Sequence, residues 1–275
     1  MTAITEQLSD TRRQTLAMVW AAELRRSLAA GGLRIALIVS VALGGVVGGL
    51  FVWGVAANSP DTGIDPVVNV LPFGGGVGVA ALAFTVGLIG FVSREMADGT
   101  ATGSAVLVPR RARLLWARAL SATTIGAAMT VATLALVSLA RLLAGGVDGT
   151  AVGHWASVGA VAVLDVVLAS ALAFLVATLL RKPAIAVAIF LLALVVLPLI
   201  LLIVSFAAPS WLAEPAGAIF KTMPGTLFER ALNVPVGDGG NWSEVRTGLI
   251  GLAVWVVAVA PLTGYLFGKA LANKE

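Results

Sequence analysis

Residues that could carry out chemistry are scarce in this chain. It has no cysteine and one histidine, His154, which excludes disulfides, thiol catalysis and a Cys/His zinc cluster. It also lacks a phosphate-binding loop, because Gly268 and Lys269 are followed by Ala270 and preceded by no Gly-rich loop. No protease or hydrolase motif occurs, and no pair of carboxylates projects from one helix face. We therefore expect no enzyme activity and no cofactor in this chain.

Composition places the chain in a membrane. Of its 275 residues, 59% are hydrophobic and 12% charged, and the mean hydropathy is +1.00, which is too little charge to cover a soluble globule of this size. The net charge is +4, but the cations stand beside apolar segments rather than on a folded basic face. We therefore expect contacts with anionic lipid headgroups and no nucleic-acid partner.

Six apolar segments are long enough to cross a bilayer. They predict an all-α membrane protein with a single transmembrane domain over residues 1–275, and with spans at residues 35–56, 73–92, 119–140, 156–180, 183–206 and 247–267. Pro198 is expected to kink the fifth span, because proline cannot donate a backbone hydrogen bond. The first span carries glycines spaced to let another helix approach closely, namely Gly44, Gly45, Gly48 and Gly49.

The distribution of cations predicts the orientation. Six crossings put both termini on one side, and 14 of the 18 cations fall in segments that then share this side. The exceptions are Arg141, Lys221, Arg230 and Arg246. By the positive-inside bias we predict a multi-pass protein with both termini in the cytoplasm. The short turn before the fourth span, with Gly145, Gly146, Asp148, Gly149 and His154, then lies outside.

Asp165 is the one ionisable residue well inside a predicted span, and it is a candidate intramembrane polar site. A carboxylate at this depth is costly and indicates a function, such as a proton relay or a polar contact with substrate. The alternative is a structural role, in which the carboxyl is protonated or hydrogen-bonded to a hydroxyl on another span, for example that of Thr123, Thr124 or Thr130. Ion coupling requires that Asp165→Asn abolish transport.

The first 34 residues predict an amphipathic helix before the first span. Asp10 and a capping box from Thr11 to Gln14 mark its start. Apolar residues recur every four positions, while charged residues including Glu23 and Arg26 fall on other faces. The pattern favours a helix lying in the cytoplasmic interface of the bilayer, and packing of this helix against a protein partner remains an alternative. The apolar stripe comprises Leu16, Trp20, Leu24 and Leu28.

Residues 207–246 form an outer segment that is too apolar for a solvated linker. We predict two short helices, re-entrant or leaning on the bundle, the second opened by a capping box of Thr226 and Glu229 and ending near Asn233 and Pro235. Such a segment could gate an outer exit, or it could only shield the bundle.

The basic loop at residues 93–118 is the long cytoplasmic connection of this topology. A Gly-Thr turn at Gly99 and Thr100, then a proline and three arginines in four positions, predicts a rigid cationic protrusion suited to an acidic partner surface. The alternative is that these arginines bind lipid headgroups and only fix the topology.

In its order of elements the chain resembles the type-2 ABC exporter permease family. The most specific part is the loop motif, which is similar to the family pattern E-x-x-x-G-T followed by P-[RK]-x-[RK] and reads here Glu95-Met-Ala-Asp-Gly99-Thr100 and, nine residues later, Pro109-Arg110-Arg111-Ala-Arg113. Met96 and Ala97 stand where an aromatic and a basic residue are frequent in the family.

This resemblance implies a function. The loop would be a coupling helix that docks on a separate cytosolic ABC ATPase, which binds the ATP, and the N-terminal helix would be a connecting helix beside it. The implied coupling residues are Glu95, Gly99, Thr100, Pro109, Arg110, Arg111 and Arg113. The chain would pair with a second copy or a homologous permease and export drugs, antibiotics, lipids or peptides. Scarce charge inside the spans favours an apolar or amphipathic cargo, and the Ala-, Gly- and Val-rich composition with many arginines is typical of a GC-rich bacterium. The protein is then expected in the bacterial cytoplasmic membrane.

Two other classes of function stay open. An ion-coupled secondary carrier is expected to show an internal repeat and several polar sites in the membrane, and the chain shows no convincing repeat and one acid. A membrane scaffold or sensor that transports nothing is the other. An adjacent gene encoding a phosphate-binding loop, or copurification with an ATPase, would separate these classes.

Overall fold

The computed structural model describes residues 15–58, 66–98, 111–144, 149–234 and 242–272, and within these ranges it contains helices and no strand. We number the helices in chain order. They are α1 Leu16–Ala29, α2 Gly31–Asn58, α3 Pro66–Ala97, α4 Arg111–Leu143, α5 Gly149–Leu180, α6 Pro183–Leu191, α7 Leu197–Ala207, α8 Ser210–Phe220, α9 Pro224–Leu232 and α10 Ser243–Ala272. A π-helical turn, Leu192–Val196, joins α6 to α7.

Six helical stretches in the described ranges are long and apolar enough to cross a membrane. They are Gly31–Gly54, Phe73–Ala97, Ala112–Leu143, Trp155–Leu180, Pro183–Ala207 and Ser243–Phe267. The predicted all-α fold with six transmembrane helices is therefore confirmed, and the protein is a multi-pass membrane protein.

The outer surface of the bundle suits a bilayer. We call the end where α3 stops and α4 starts the basic end. Trp116 and Tyr265 are exposed near this end, and Trp53 and Trp211 are exposed near the opposite end. Large aliphatic side chains are exposed between these two levels, as at Ile203. Aromatic belts on both sides of an apolar band are typical of a membrane-spanning protein.

Glycine lets α2 cross α3 closely. A Cβ at Gly44 would meet the Ala80 Cβ at 2.6 Å, the Gly76 carbonyl oxygen at 2.7 Å and Thr133 Cγ2 at 2.8 Å. A Cβ at Gly76 would in turn meet the Gly44 carbonyl oxygen at 2.8 Å. The packing role predicted for the glycines of the first span is confirmed at Gly44, where backbone meets backbone.

The helices on either side of the predicted basic loop extend into it. Helix α3 continues to Ala97 and α4 begins at Arg111, so that residues 93–97 and 111–118 are helical rather than loop. Arg, Leu, Ala, Glu and Met are good helix formers, so backbone hydrogen bonding continues past the point where hydropathy falls. The helix also begins earlier than predicted before the fourth span, because Gly149 and His154, predicted in a turn, lie in α5.

The break predicted at Pro198 takes the form of a π turn. In Leu192–Val196 the bonding shifts by one residue, and the Leu197 N–H donates to the Leu192 carbonyl. Proline lacks the N–H that an α-helix requires at this position, and a one-residue insertion of this kind absorbs the loss.

The two predicted short helices before the last span are present as α8 and α9. The capping box was wrong, because Thr226 lies inside α9 and is buried. Helix α9 instead begins at Pro224, and its N-cap residue, Met223, makes no side-chain capping bond. Proline is preorganised for the first helical position, and it sets the start here without a capping hydroxyl.

The start predicted for the N-terminal helix falls before the described residues. Asp10 and the box from Thr11 to Gln14 lie outside the described residues. The N-cap of the described helix is Thr15, whose hydroxyl accepts a hydrogen bond from the Met18 N–H at 3.3 Å. A threonine in this role is a standard helix start.

Candidate functional site

Four charged side chains from three helices meet at the basic end. Glu23 and Arg26 come from α1, Glu95 from the last turn of α3, and Arg118 from the third turn of α4. The Arg26 guanidinium lies 2.9 Å from the Glu23 carboxylate and 2.7 Å from that of Glu95. The Arg118 guanidinium lies 3.3 Å from Glu23 and 4.0 Å from Glu95. We call these four residues the stem cluster, because they sit at the base of the loop between α3 and α4.

Helix α1 contributes through a face that is not its most apolar one. Val19, Glu23 and Ser27, spaced by four residues, form its buried side, and Leu16 and Leu28 at its ends are exposed. Glu23, which the sequence placed on a polar face, is therefore turned into the protein. Arg26 lies three residues after Glu23, so that both side chains reach the same neighbours.

The charges of the stem cluster are largely buried, so they must be balanced to offset the cost of desolvation. The side chains of Arg118 and Glu23 are only 4% and 8% exposed. Two carboxylates and two guanidiniums balance to a formal charge of zero, which is the condition for burying ions at tolerable cost. Burial by itself would lower the pKa of Arg26, but the carboxylates of Glu95 and Glu23 outweigh burial and raise this pKa above its ordinary value, so Arg26 stays charged.

A small cavity of about 20 Å³ adjoins the stem cluster and is lined in part by Arg26, Glu95 and Arg118. This is about the room of one water molecule, and its charged lining could hold one. The described side chains around the stem cluster are therefore close-packed.

Two further contacts tie the basic end together. The Ser93 hydroxyl donates to the Ala177 carbonyl of α5 at 3.2 Å. The Arg181 guanidinium donates to the Leu266 carbonyl of α10 at 2.9 Å, from a backbone with φ of 52°, a left-handed conformation that costs a residue with a Cβ some energy. The turn between α5 and α6 is thus fixed to α10.

Only some of the predicted coupling residues lie in the described part of the chain. Glu95 is in the stem cluster, and Arg113 is half-buried near the start of α4. Arg111 opens α4. Gly99, Thr100, Pro109 and Arg110 lie outside the described residues.

Sequence reasoning missed Glu23, Arg26 and Arg118 as site residues and treated the two arginines as topology signals. The spacing of Glu23 and Arg26 on one helix was an available signal for a local pair. The partnership with Glu95, 69 residues from Arg26 along the chain, was not visible in any local pattern.

Asp165 is fully buried, and neither of its carboxyl oxygens has a hydrogen-bond partner in the described part of the chain. The partners considered from sequence do not reach it. Thr123 and Thr124 donate to the Leu120 carbonyl, and Thr130 donates to the Gly126 carbonyl, all within α4. Within the described ranges no three His, Cys, Asp or Glu residues lie close enough together to hold a metal ion.

Comparison with models of known protein families and with characterised proteins found no match to this chain. Function is therefore argued from the geometry at the basic end together with the sequence motif of the loop.

Proposed function

We propose that this chain is the membrane-spanning permease subunit of an ATP-driven ABC exporter in a bacterial cytoplasmic membrane, with both termini in the cytoplasm. A separate ATPase would bind the loop between α3 and α4, and a second permease would complete the transport path. The observation that carries the proposal is the stem cluster, which joins both ends of that connection to α1, through the buried pair of Arg118 with Glu23 and the partly exposed pair of Arg26 with Glu95. Six apolar helices are compatible with a membrane transporter subunit.

The stem cluster would hold α1, α3 and α4 together as one rigid unit, which would pass movement of the loop on to the spans. A force applied to the loop reaches the end of α3 and the start of α4 first. Both helices are paired to α1, so separating them would pull Glu95 away from Arg26 or Arg118 away from Glu23. Breaking a buried ion pair costs about 3–5 kcal/mol. The helices should therefore move together, and with them α1. Closure of two ATPases on ATP would draw two such assemblies together and switch the path between inward and outward access.

Within this proposal Glu95 has a different role from the one implied by the resemblance. Its carboxylate bonds to Arg26 of its own chain at 3.0 Å and is only 15% exposed, so it is poorly available to a partner. We assign Glu95 to transmission. Docking is assigned to the loop beyond it, with Gly99, Thr100, Pro109 and Arg110, and to Arg113 at the start of α4.

The cargo and the orientation follow from charge. Of the 18 cations, 14 fall in the termini and in the loops on the side of the basic end, which supports the assignment of that end to the cytoplasm. Within the described spans Asp165 is the acid at mid-depth, so an apolar or amphipathic molecule is the better cargo.

A second candidate function is export or uptake coupled to protons. It is favoured by one observation, the buried carboxyl of Asp165 without a hydrogen-bond partner in the described ranges. A carboxyl in such a place is a functional candidate by default. The two candidates differ in their energy source, and this can be measured directly.

The proposal is tested with the permease and its ATPase copurified and reconstituted in vesicles. Glu95→Gln should leave the ATPase bound and hydrolysing ATP, while cargo moved per ATP falls at least tenfold, because force no longer reaches the spans. Arg113→Glu should instead release the ATPase. Glu214→Gln, an exposed change of the same kind at the opposite end, is the matched control and should match the wild type.

Two results would overturn the proposal. One is the absence of any ATPase that binds the purified chain. The other is transport by the chain alone when only a proton or sodium gradient is supplied.

A further inference from the structure

A cavity of about 210 Å³ lies inside the helix bundle, well away from the stem cluster. Its walls come from the middle of α3, from α5, from the π turn of the fifth span and from α9. The residues that matter for its properties are Gly78, Thr85, Val195, Gly225 and Phe228. None of them belongs to the proposed coupling machinery.

Two glycines shape this cavity in different ways. Gly225 of α9 packs directly on the Leu194 carbonyl of the π turn, and a Cβ there would overlap that oxygen. Gly225 thus holds α9, with Phe228, closely against the irregular part of the fifth span. Gly78 does the opposite, because a Cβ at this position would meet nothing within 4 Å. The missing side chain of Gly78 leaves part of the cavity open.

The lining offers a ligand almost no polar contact. Among the described residues that line the cavity, Thr85 alone has a polar side chain, and its hydroxyl already donates to the Ala81 and Leu82 carbonyls at 2.8 and 3.0 Å. An apolar cavity of about 150 Å³ is known to stay dry and to take up benzene, so water is a poor occupant here. Pockets for drug-sized ligands start near about 300 Å³, so a whole drug does not fit. The size and lining select a short run of hydrocarbon.

The cavity opens sideways into the apolar surface of the bundle. Val195 at its edge is 45% exposed, and it lies in the apolar band between the two aromatic belts. The mouth therefore faces hydrocarbon when the protein is in a bilayer. A chain can enter from the membrane without crossing water.

From these observations we infer that the cavity between α3, the π turn and α9 is a binding site for a single hydrocarbon chain. The chain comes either from a bilayer lipid or from the alkyl part of an amphiphilic molecule. The inference does not depend on the proposed ATP-driven export, because it rests only on the shape, the lining and the mouth of the cavity.

Photolabelling of the full-length protein in vesicles tests this inference. One arm uses a phospholipid with a diazirine in the middle of one acyl chain, and the other uses a free 12-carbon alcohol carrying the same group. We expect labelling at Phe228 that saturates with probe concentration, whereas labelling at the lipid-facing Ile203 should rise linearly. Labelling by the phospholipid identifies a bilayer lipid as the source, and labelling by the alcohol alone identifies an amphiphile.

Gly78→Leu fills the cavity from a position where the structure has room, and it should lower labelling at Phe228 at least fivefold. Gly90→Leu is the matched control, because it lies on the same helix, also has nothing within 4 Å, and is not part of the lining. Should Gly78→Leu fail to elute as a folded protein, competition of unlabelled dodecanol with the probe on the wild type decides. Labelling at Phe228 that neither saturates nor responds to Gly78→Leu or dodecanol would overturn the inference.

Discussion

Replacing Arg118 with methionine should destabilise the protein far more than its single lost charge suggests. Methionine keeps much of the length of the arginine stem and removes the guanidinium. The stem cluster then holds Glu23 and Glu95 against Arg26 alone, and its formal charge falls from zero to −1 in a site where Glu23 is 8% exposed. The question is how much of this penalty Arg26 relieves.

The magnitude follows from the geometry. At 3.3 Å, the attraction between Arg118 and Glu23 is about 5 kcal/mol for an effective dielectric constant of 20. Burial of the two ions costs several kcal/mol each, so the intact pair is worth little in net terms. Removal of one partner is different, because it leaves the other buried, and it costs about 3–5 kcal/mol. Since Arg26 still lies 2.9 Å from Glu23, we expect about 3 kcal/mol, the lower end of that range.

A double-mutant cycle measures this. Arg118→Met should lower the unfolding temperature of the detergent-solubilised protein by about 5–10 °C. Glu23→Gln combined with Arg118→Met restores a formal charge of zero, with Arg26 and Glu95 still paired, and should recover at least half of the loss. Arg246→Met, an exposed change at the opposite end, is the control and should cost less than about 0.5 kcal/mol. An Arg118→Met protein that unfolds with the wild type, or a double variant worse than the sum of its singles, would refute the reasoning.

Three further predictions concern the spans and the turn between α5 and α6. Gly44→Val should prevent close crossing of α2 and α3 and lower the yield of folded protein in detergent severalfold. Gly54→Val is the control and should not lower the yield, because a Cβ there meets nothing within 4 Å. Equal yields of the two variants would contradict this prediction. If the carboxyl is structural, Asp165→Asn should change the rate of ATP-driven transport by no more than about twofold, which is about 0.4 kcal/mol in activation free energy. Complete loss of transport in an efflux assay would favour ion coupling. Arg181→Gly should relieve a left-handed strain of about 1 kcal/mol but lose the charged bond to α10, and should lower the unfolding temperature because bonds to charged groups are worth about 1.5–3 kcal/mol. A rise in unfolding temperature for Arg181→Gly would show that strain outweighs the bond.

Sequence reasoning recovered what depends on local composition. A bilayer requires about 20 consecutive apolar residues, and this run length is readable without any tertiary information. The six spans were therefore found, and so was the proline that opens the fifth span at Pro183. The close-packing role of Gly44 was also predictable, since small residues at helix interfaces leave a regular spacing.

The wrong predictions concern helix boundaries, and the first arose because helices do not end where hydropathy falls. Residues 111–118 were predicted as loop because they are basic, but arginine and leucine favour helix and α4 includes them. The capping pattern of Thr226 and Glu229 failed for a related reason, because Pro224 two residues earlier already started α9. A short motif describes a local preference and does not exclude a stronger neighbour.

Of the four residues of the stem cluster, only Glu95 was predicted from the sequence, for a different reason. Glu95 stood out through a motif, but its partners Arg26 and Arg118 come from helices that meet only in three dimensions. Long-range ion pairs leave no periodic signature, and the sign of a charge alone does not tell a buried arginine from one that faces lipid headgroups. Arg118, at 4% side-chain exposure, and Arg113, half-buried, look alike in sequence.

The energetics of the stem cluster also bear on why charge is placed there at all. A buried, balanced ion cluster adds little net stability compared with apolar packing of the same volume, yet it becomes expensive as soon as one ion loses its partner. Because of this asymmetry, the cluster adds little stability but strongly fixes the relative position of the helices. The four residues of the stem cluster hold α1, α3 and α4 in one relative position where α3 ends and α4 begins. Sliding of one helix along another would break these ion pairs, whereas apolar contacts would allow it. If the cluster served stability alone, an apolar replacement of all four residues would preserve transport, and transport by such a variant is the measurement that separates the two roles.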